Sequence, residues 1–271
     1  MDSIAFKIGV LEIHWYGILV ACGFLVGLWT ASRRSVFDGL DGKVVSDLGV
    51  WIIIGALVGA RALYVVTEWG EYSDKPFSEW VNFRSGGLVF YGGFIGGAIA
   101  VILYIVIQGR QPLWKIADAL APSIPLGHAL GRLGCLMTGC CFGTACDLPW
   151  AIQFPANSLA FDALGQAPAD AAHSVSVHPS QVYSALLNFA LYGGLAWVYR
   201  RKRFDGQLFA LYLIVYSINR FIVEFFRGDY QFEQMWFGWI KPGQQLSMML
   251  LPLGLVLLVF LWRRSILVKE V

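Results

Sequence analysis

Two stretches of this chain hold residue types that an apolar sequence has no structural need for. The first is Gly131-Arg132-Leu133-Gly134-Cys135-Leu136-Met137-Thr138-Gly139-Cys140-Cys141-Phe142-Gly143. It contains four of the 30 glycines, three of the five cysteines and an arginine with no carboxylate nearby in sequence. Glycines permit turns with exposed N–H groups, and an arginine beside them can clamp an anion. The second stretch carries Tyr216, Arg220, Glu224 and Arg227. Steps of four, four and three residues put all of them on one helix face. Glu224 can then pair with Arg220 on one side and Arg227 on the other. The bland reading is a self-neutralising stripe. The chemical reading is an arginine pre-oriented for phosphate, which guanidinium binds through a planar fork.

A third stretch, Arg84-Ser85-Gly86-Gly87-Leu88-Val89-Phe90-Tyr91-Gly92-Gly93-Phe94-Ile95-Gly96-Gly97, admits two uses. Small residues let membrane helices pack closely. Gly92 and Gly93 could equally let backbone approach a ligand headgroup, with the Tyr91 hydroxyl as a polar handle. The cysteines at 135, 140 and 141 admit three readings: small buried residues, a disulfide, or metal ligands. There is no C-x-x-C pair and no nearby histidine at a usual spacing, so zinc is not expected. No nucleotide-binding fingerprint, Ser-His-Asp pattern or internal repeat is evident.

The elements that must position these residues are set by composition. The chain is 57% hydrophobic and only 14% charged, against roughly 25% charged in soluble domains, so it reads as a membrane protein. A net charge of +2 is too small to argue for nucleic acid. Seven segments are long enough to cross a hydrocarbon core of about 20 residues. They run over 14–31, 47–67, 87–108, 113–133, 181–199, 207–226 and 245–262. The third is interrupted by glycine pairs and the fourth by Pro122 and Pro125. Such breaks are tolerated at membrane depth where they line a protein or water-filled cavity. The first run lacks a basic flank and a small-residue cleavage site, so it reads as a retained span rather than a signal peptide.

Twelve of the 20 basic residues fall in the loops after spans one, three and five and in the C-terminal tail. The opposite side has only Lys7, Lys75, Arg84 and Lys241. The positive-inside rule places the N-terminus outside, in the periplasm, and the C-terminus in the cytoplasm. The fold expected is all-α, one integral membrane domain over 1–271, with an insertion at about 144–178 on the outer side. That insertion reads either as a flexible loop or as a periplasmic head that meets a protein substrate. Arg61, Arg132 and Arg220 lie on three different spans, where an unpaired charge is costly. Structural ion pairing would explain any one of them; as a convergent set they favour an anionic ligand.

Taken together the motifs resemble the prolipoprotein diacylglyceryl transferases of bacterial inner membranes. The match runs through nearly the whole chain: His14-Trp15-Tyr16-Gly17, the glycine run at 86–97, Asp118 with Pro122, Gly131-Arg132-x-Gly134, and Gly143. It continues through Leu148-Pro149-Trp150, His178-Pro179-Ser180-Gln181-x-Tyr183, the Arg220–Arg227 run, and Gln245-Leu246-Ser247-Met248. The resemblance implies seven spans and an external N-terminus. It also implies transfer of the diacylglyceryl group of phosphatidylglycerol to the lipobox cysteine of a prolipoprotein, with glycerol phosphate released and no cofactor or metal. Arg132 and Arg220 match the family's essential arginines and would hold phosphate; Tyr16, Gly143, Glu224 and Tyr216 match other functional positions. Tyr91, Gly92, Gly93 and Gly139 complete the expected site, with Tyr91 or the departing phosphate managing the proton.

Three positions depart from the family pattern. Tyr91 stands where many members have histidine, and Cys135 and Cys140 stand where asparagine and glutamate are usual. Two rival readings follow: a paralogue that lipidates a different acceptor, or a non-catalytic phospholipid-binding or transport protein.

Overall fold

The structure, a computed structural model, describes residues 4–9, 11–82, 86–107, 112–156, 158–164, 166–167, 170–230 and 235–269. Arg84 and Arg110, two of the charges used for orientation, lie outside the described residues. A short hairpin, β1 (Ile4–Ile8) and β2 (Leu11–His14), leads into α1 (Trp15–Ser35). α2 (Gly42–Thr67), the short α3 (Trp69–Tyr72) and α4 (Phe77–Trp80), and α5 (Phe90–Ile107) follow. Next come α6 (Leu113–Leu120), α7 (Ser123–Thr138), α8 (Leu159–Leu164) and a second hairpin, β3 (Gln166–Ala167) with β4 (Asp170–Ser174). The chain closes with α9 (Ser180–Tyr199), α10 (Gln207–Phe226) and α11 (Pro242–Lys269).

Among the described residues, α1, α2, α9, α10 and α11 are long and apolar enough to cross a bilayer, and α5 is a shorter apolar helix. Their outward positions are oily: Leu25, Ile54, Phe94, Leu186, Trp197 and Val256 are all exposed. A water-soluble domain does not leave so much apolar surface open, and the chain is a mostly helical, multi-pass membrane protein. The expected fourth span is two helices. Its polypeptide turns at Ala121 and Pro122, so α6 stops and α7 restarts. Pro125 sits in the first turn of α7, where a missing N–H breaks no helical bond.

The chain forms two compact units, Ser32–Ile116 and the remainder, Met1–Ala31 with Ala117–Val271. In the first unit, small residues let α2 and α5 touch backbone to backbone. A Cβ on Gly59 would lie 2.8 Å from the Cα of Gly96, and one on Gly92 would lie 2.6 Å from the Leu63 Cβ. The glycine run is thus a helix-packing seam at Gly92 and Gly96. Arg61, buried in the same unit, spends all five donors there. Nε donates to Trp80 O (2.9 Å), Nη1 to Gly86 O (2.7 Å) and Gly87 O (3.3 Å), and Nη2 to Glu79 O (2.7 Å) and the Tyr72 hydroxyl (3.4 Å). A guanidinium has five N–H groups, so Arg61 is a structural tie and leaves the set of anion-binding arginines proposed from sequence.

In the other unit, α1 packs on α7 at glycines: a Cβ on Gly23 would lie 3.1 Å from Gly127 Cα. α9, α10 and α11 enclose a core of Leu191, Leu195, Tyr199, Leu208, Tyr212 and Leu213. The N-terminus of α10 is capped from outside the helix. Asp118, fully buried, accepts from the N–H groups of Gly206 (2.8 Å), Leu208 (2.9 Å) and Phe209 (3.1 Å), and from Lys202 Nζ (3.1 Å). It thereby satisfies donors that no helical carbonyl can reach and opposes the positive end of the helix dipole. Asp118→Ala strands those donors and the Lys202 ammonium. We expect it to cost about 3 kcal/mol of stability, seen as a lower melting temperature in detergent, with Asp118→Asn retaining part of the loss.

The segment 144–178 is folded where it is described. Ile152 and Val177 exchange backbone hydrogen bonds of 3.1 and 2.9 Å, and Ser174 N–H donates to Phe154 O (2.8 Å). Phe142, Phe154, Ala160 and Val177 form a small core beneath it.

Candidate active site

The four-four-three spacing on α10 produces the geometry it promises. Arg220 Nη2 lies 3.2 Å from Glu224 Oε2, and Arg227 Nη1 lies 3.8 Å from Glu224 Oε1. Glu224 has no exposed surface. Among the described residues neither of its oxygens makes a well-aligned hydrogen bond, so the contact with the arginines is a charge–charge one. Gly243 of α11 closes over this carboxylate; a Cβ there would lie 2.5 Å from Glu224 Cδ, so a larger residue would push the carboxylate aside. Arg227 is further engaged by a bidentate fork with Asp229, at 2.9 and 2.6 Å, and stacks over the Tyr230 ring at 4.5 Å. Lys241 Nζ donates to the carbonyls of Glu224 and Arg227 at the end of α10. Burial pushes the Tyr230 phenol well up, partly offset by Arg227, so it remains a neutral hydroxyl.

The two arginines on this stripe therefore differ. Arg227 is held by two carboxylates and a ring. Arg220 has one carboxylate and a long contact to the Tyr230 hydroxyl (3.4 Å), and its Nη1 is buried without a hydrogen-bond partner among the described residues. A buried guanidinium nitrogen left unpaired is costly. Arg220 lines a small pocket together with His128, Ser184, Asn188, Tyr216 and Asn219. Asn188 Oδ1 in that lining is also buried without a hydrogen-bond partner among the described residues.

α7 brings in the second cation. Arg132 Nε donates to His128 Nε2 at 3.0 Å, one turn back. That bond fixes His128 with its Nε2 as acceptor and the guanidinium in one orientation. The His128 ring meets Tyr216 at 5.6 Å, and Tyr216 stacks on Tyr212 at 5.4 Å. His128 lies within electrostatic reach of Arg132, Arg220 and Arg227, so it stands among three cations. Tyr16 of α1 packs on Gly134, whose added Cβ would lie 3.0 Å from Tyr16 Cδ2. Its phenol is coupled electrostatically to Arg132 and to the cysteines at 135, 140 and 141.

Past Arg132 the helix ends on Gly139, at φ +73°, a left-handed conformation that favours glycine. Gly139 N–H returns to Leu136 O (3.2 Å) and Cys140 N–H to Cys135 O (3.1 Å). These two N–H groups are spent on closing α7, so they are not donors for an anion. Gly143 bridges to Arg227: Thr144 N–H donates to Phe226 O (2.9 Å) and Gly228 N–H to Phe142 O (3.1 Å). A Cβ on Gly143 would lie 2.7 Å from the Cβ of His178 and 2.9 Å from Phe226 O. Gly143 thus lets the chain after the cysteines lie against the end of α10. The start of α9 holds the same turn, with Ser180 Oγ on Cys141 O and Gln181 Nε2 on Cys140 O, both at 2.8 Å.

Of the residues nominated from sequence, Arg132, Arg220, Glu224, Tyr16, Tyr216, Gly139 and Gly143 all fall in the unit containing α7 and α10. Tyr91, Gly92 and Gly93 belong to the other unit, with Tyr91 exposed near the start of α5. Sequence reasoning passed over His128, Asn188, Asn219 and Tyr230. The i, i+4 spacing of His128 and Arg132 was a usable signal; nothing local marks Asn188, which acquires meaning only when α9 packs beside α10.

Comparison with known proteins places the chain in a family. The family model for prolipoprotein diacylglyceryl transferase matches residues 3–260. A phosphatidylglycerol–prolipoprotein diacylglyceryl transferase of Finegoldia magna is 34% identical, covering 95% of this chain and 94% of the relative. The protein of that name from Thermosynechococcus vestitus is 31% identical over 92% of this chain and 88% of its own length. That from Clostridioides difficile is 31% identical over 98% and 97%. The chain belongs to the prolipoprotein diacylglyceryl transferase family.

Proposed function

We propose that this protein transfers the diacylglyceryl group of phosphatidylglycerol to the lipobox cysteine thiol of a prolipoprotein, the first step of lipoprotein maturation. The observation that carries the reading is Arg220: its Nη1 is buried with no hydrogen-bond partner among the described residues, it lines a small pocket, and it is backed by Glu224. Such a group is suited to the phosphate of a lipid headgroup. The thiolate attacks the glycerol carbon, the carbon–oxygen bond to phosphate breaks, and glycerol phosphate leaves with the bonding electrons. Arg220 and Arg132 stabilise the charge gathered on the leaving phosphate in a site of low dielectric. Glu224 sits between Arg220 and Arg227, offsets their repulsion and fixes Arg220. The departing phosphate takes the thiol proton.

The chain spans the bacterial inner membrane seven times in this proposal, with α5 and the broken α6–α7 element added to the five longer helices. The N-terminus and the 144–178 head face the periplasm, where the prolipoprotein signal peptide presents its cysteine. Complementation tests the reading: the protein is expressed in bacteria depleted of their own transferase. The expected result is restored growth with thioether-lipidated prolipoprotein. Failure of well-expressed, membrane-inserted protein to restore either would favour a paralogue acting on another acceptor.

A further inference from the structure

The proposed reaction makes no use of Cys135, Cys140 and Cys141. Their sequence spacing is not that of a usual metal site, but the fold changes their relation. Cys135 sits in the last turn of α7, the left-handed Gly139 turns the chain back, and Cys141 itself is held at φ +59°. Left-handed backbone is uncommon outside glycine, asparagine and aspartate, and here it is fixed by the hydrogen bonds from Ser180 and Gln181. The result is that the three Sγ atoms all lie within 4.8 Å of one another. All three cysteines are partly buried and none is in a disulfide.

We propose that Cys135, Cys140 and Cys141 form a binding site for one thiophilic cation of the Zn2+ or Cu+ class. Three thiolates around such an ion, at metal–sulfur distances of about 2.3 Å, stand about 3.8 Å apart. The observed cluster therefore needs side-chain adjustments of about an ångström or less and no backbone rearrangement. The donor set is all sulfur, which selects soft ions over Mg2+ or Ca2+. Three thiolates with a divalent ion carry a net negative charge, and the surroundings supply cations to balance it: Arg132 and Arg227 both act electrostatically on Cys141. A fourth coordination position stays open for water. Binding replaces three S–H protons with three sulfur–metal bonds and changes no oxidation state.

The test uses full-length protein in detergent, reduced and then freed of reductant without oxygen, and titrated with Cd2+ alone as the spectroscopic probe. One Cd2+ per chain is expected, with a thiolate-to-metal charge-transfer band in the ultraviolet, release of protons on binding, and displacement by Zn2+. Cys135→Ser with Cys140→Ser and Cys141→Ser should abolish the band, whereas Cys22→Ser and Cys146→Ser should leave it. Single serine variants, each still folded by melting temperature, should weaken Cd2+ binding at least tenfold. The proposal is overturned if folded wild type shows no stoichiometric band, or if the triple variant binds as wild type does. It is also overturned if protein isolated without reductant carries a disulfide between any two of the three. None of these results depends on whether the chain transfers lipid.

Discussion

Arg220→Ala is expected to lower transferase activity by about a thousandfold, near 4 kcal/mol of lost transition-state stabilisation. The size follows from position. Arg220 has a buried nitrogen with no hydrogen-bond partner among the described residues and faces the pocket proposed for phosphate. Alanine also leaves Glu224 buried without its nearer cation, with Arg227 at 3.8 Å, so a loss of folding could imitate a loss of chemistry. Arg220→Lys separates the two. A lysine preserves a positive charge beside Glu224 but lacks the planar fork. It should keep the wild-type melting temperature while activity still falls by a hundredfold or more on the same scale of lost donor contacts. A fully active lysine variant would mean that Arg220 acts only as a counter-ion to Glu224.

Arg132→Ala is expected to be nearly as severe, about a hundredfold or more, because it removes the second cation from the leaving phosphate. Its effect should be paralleled, at smaller size, by the residue that aims it. His128 accepts the Arg132 Nε proton at 3.0 Å. His128→Ala loses that acceptor and should reduce turnover about tenfold, the worth of one hydrogen bond to a charged group. His128→Gln offers an amide oxygen as acceptor and should recover part of it. Kinetics of the purified variants with phosphatidylglycerol vesicles and a lipobox peptide check both. Should His128→Ala prove silent while Arg132→Ala is dead, Arg132 is positioned by something other than the histidine.

These residues were legible in the sequence to different degrees, for physical reasons. Arg220, Glu224 and Arg227 declare themselves because helix periodicity is local: spacing alone puts them together. The break in the fourth span is also local, marked by Pro122. Asp118 and Arg61 look the same in sequence, polar groups in oily helices, yet each has a structural task that depends on distant chain. Asp118 caps α10 across 88 to 91 residues, and Arg61 ties down carbonyls 18 to 26 residues away. No pattern in a single sequence reports such partners. The cysteines are the sharpest case. Steps of five and one place them on no common helix face, and their convergence follows from helix termination and a left-handed residue. The glycine run was ambiguous between packing and binding; the close approach of Gly59 and Gly92 shows its packing use.

The central claim is that a phosphatidylglycerol headgroup leaves while its diacylglyceryl group moves to a thiol. The most direct measurement is mass spectrometry of a synthetic lipobox peptide incubated with purified protein and phosphatidylglycerol vesicles, with glycerol phosphate quantified in parallel. The expected result is a peptide heavier by one diacylglyceryl group, attached by a thioether to its cysteine, with one glycerol phosphate released per modified peptide. Arg220→Lys protein should yield both at least a hundredfold more slowly. Folded wild-type protein that binds phosphatidylglycerol yet leaves the peptide mass unchanged and releases no glycerol phosphate would contradict it.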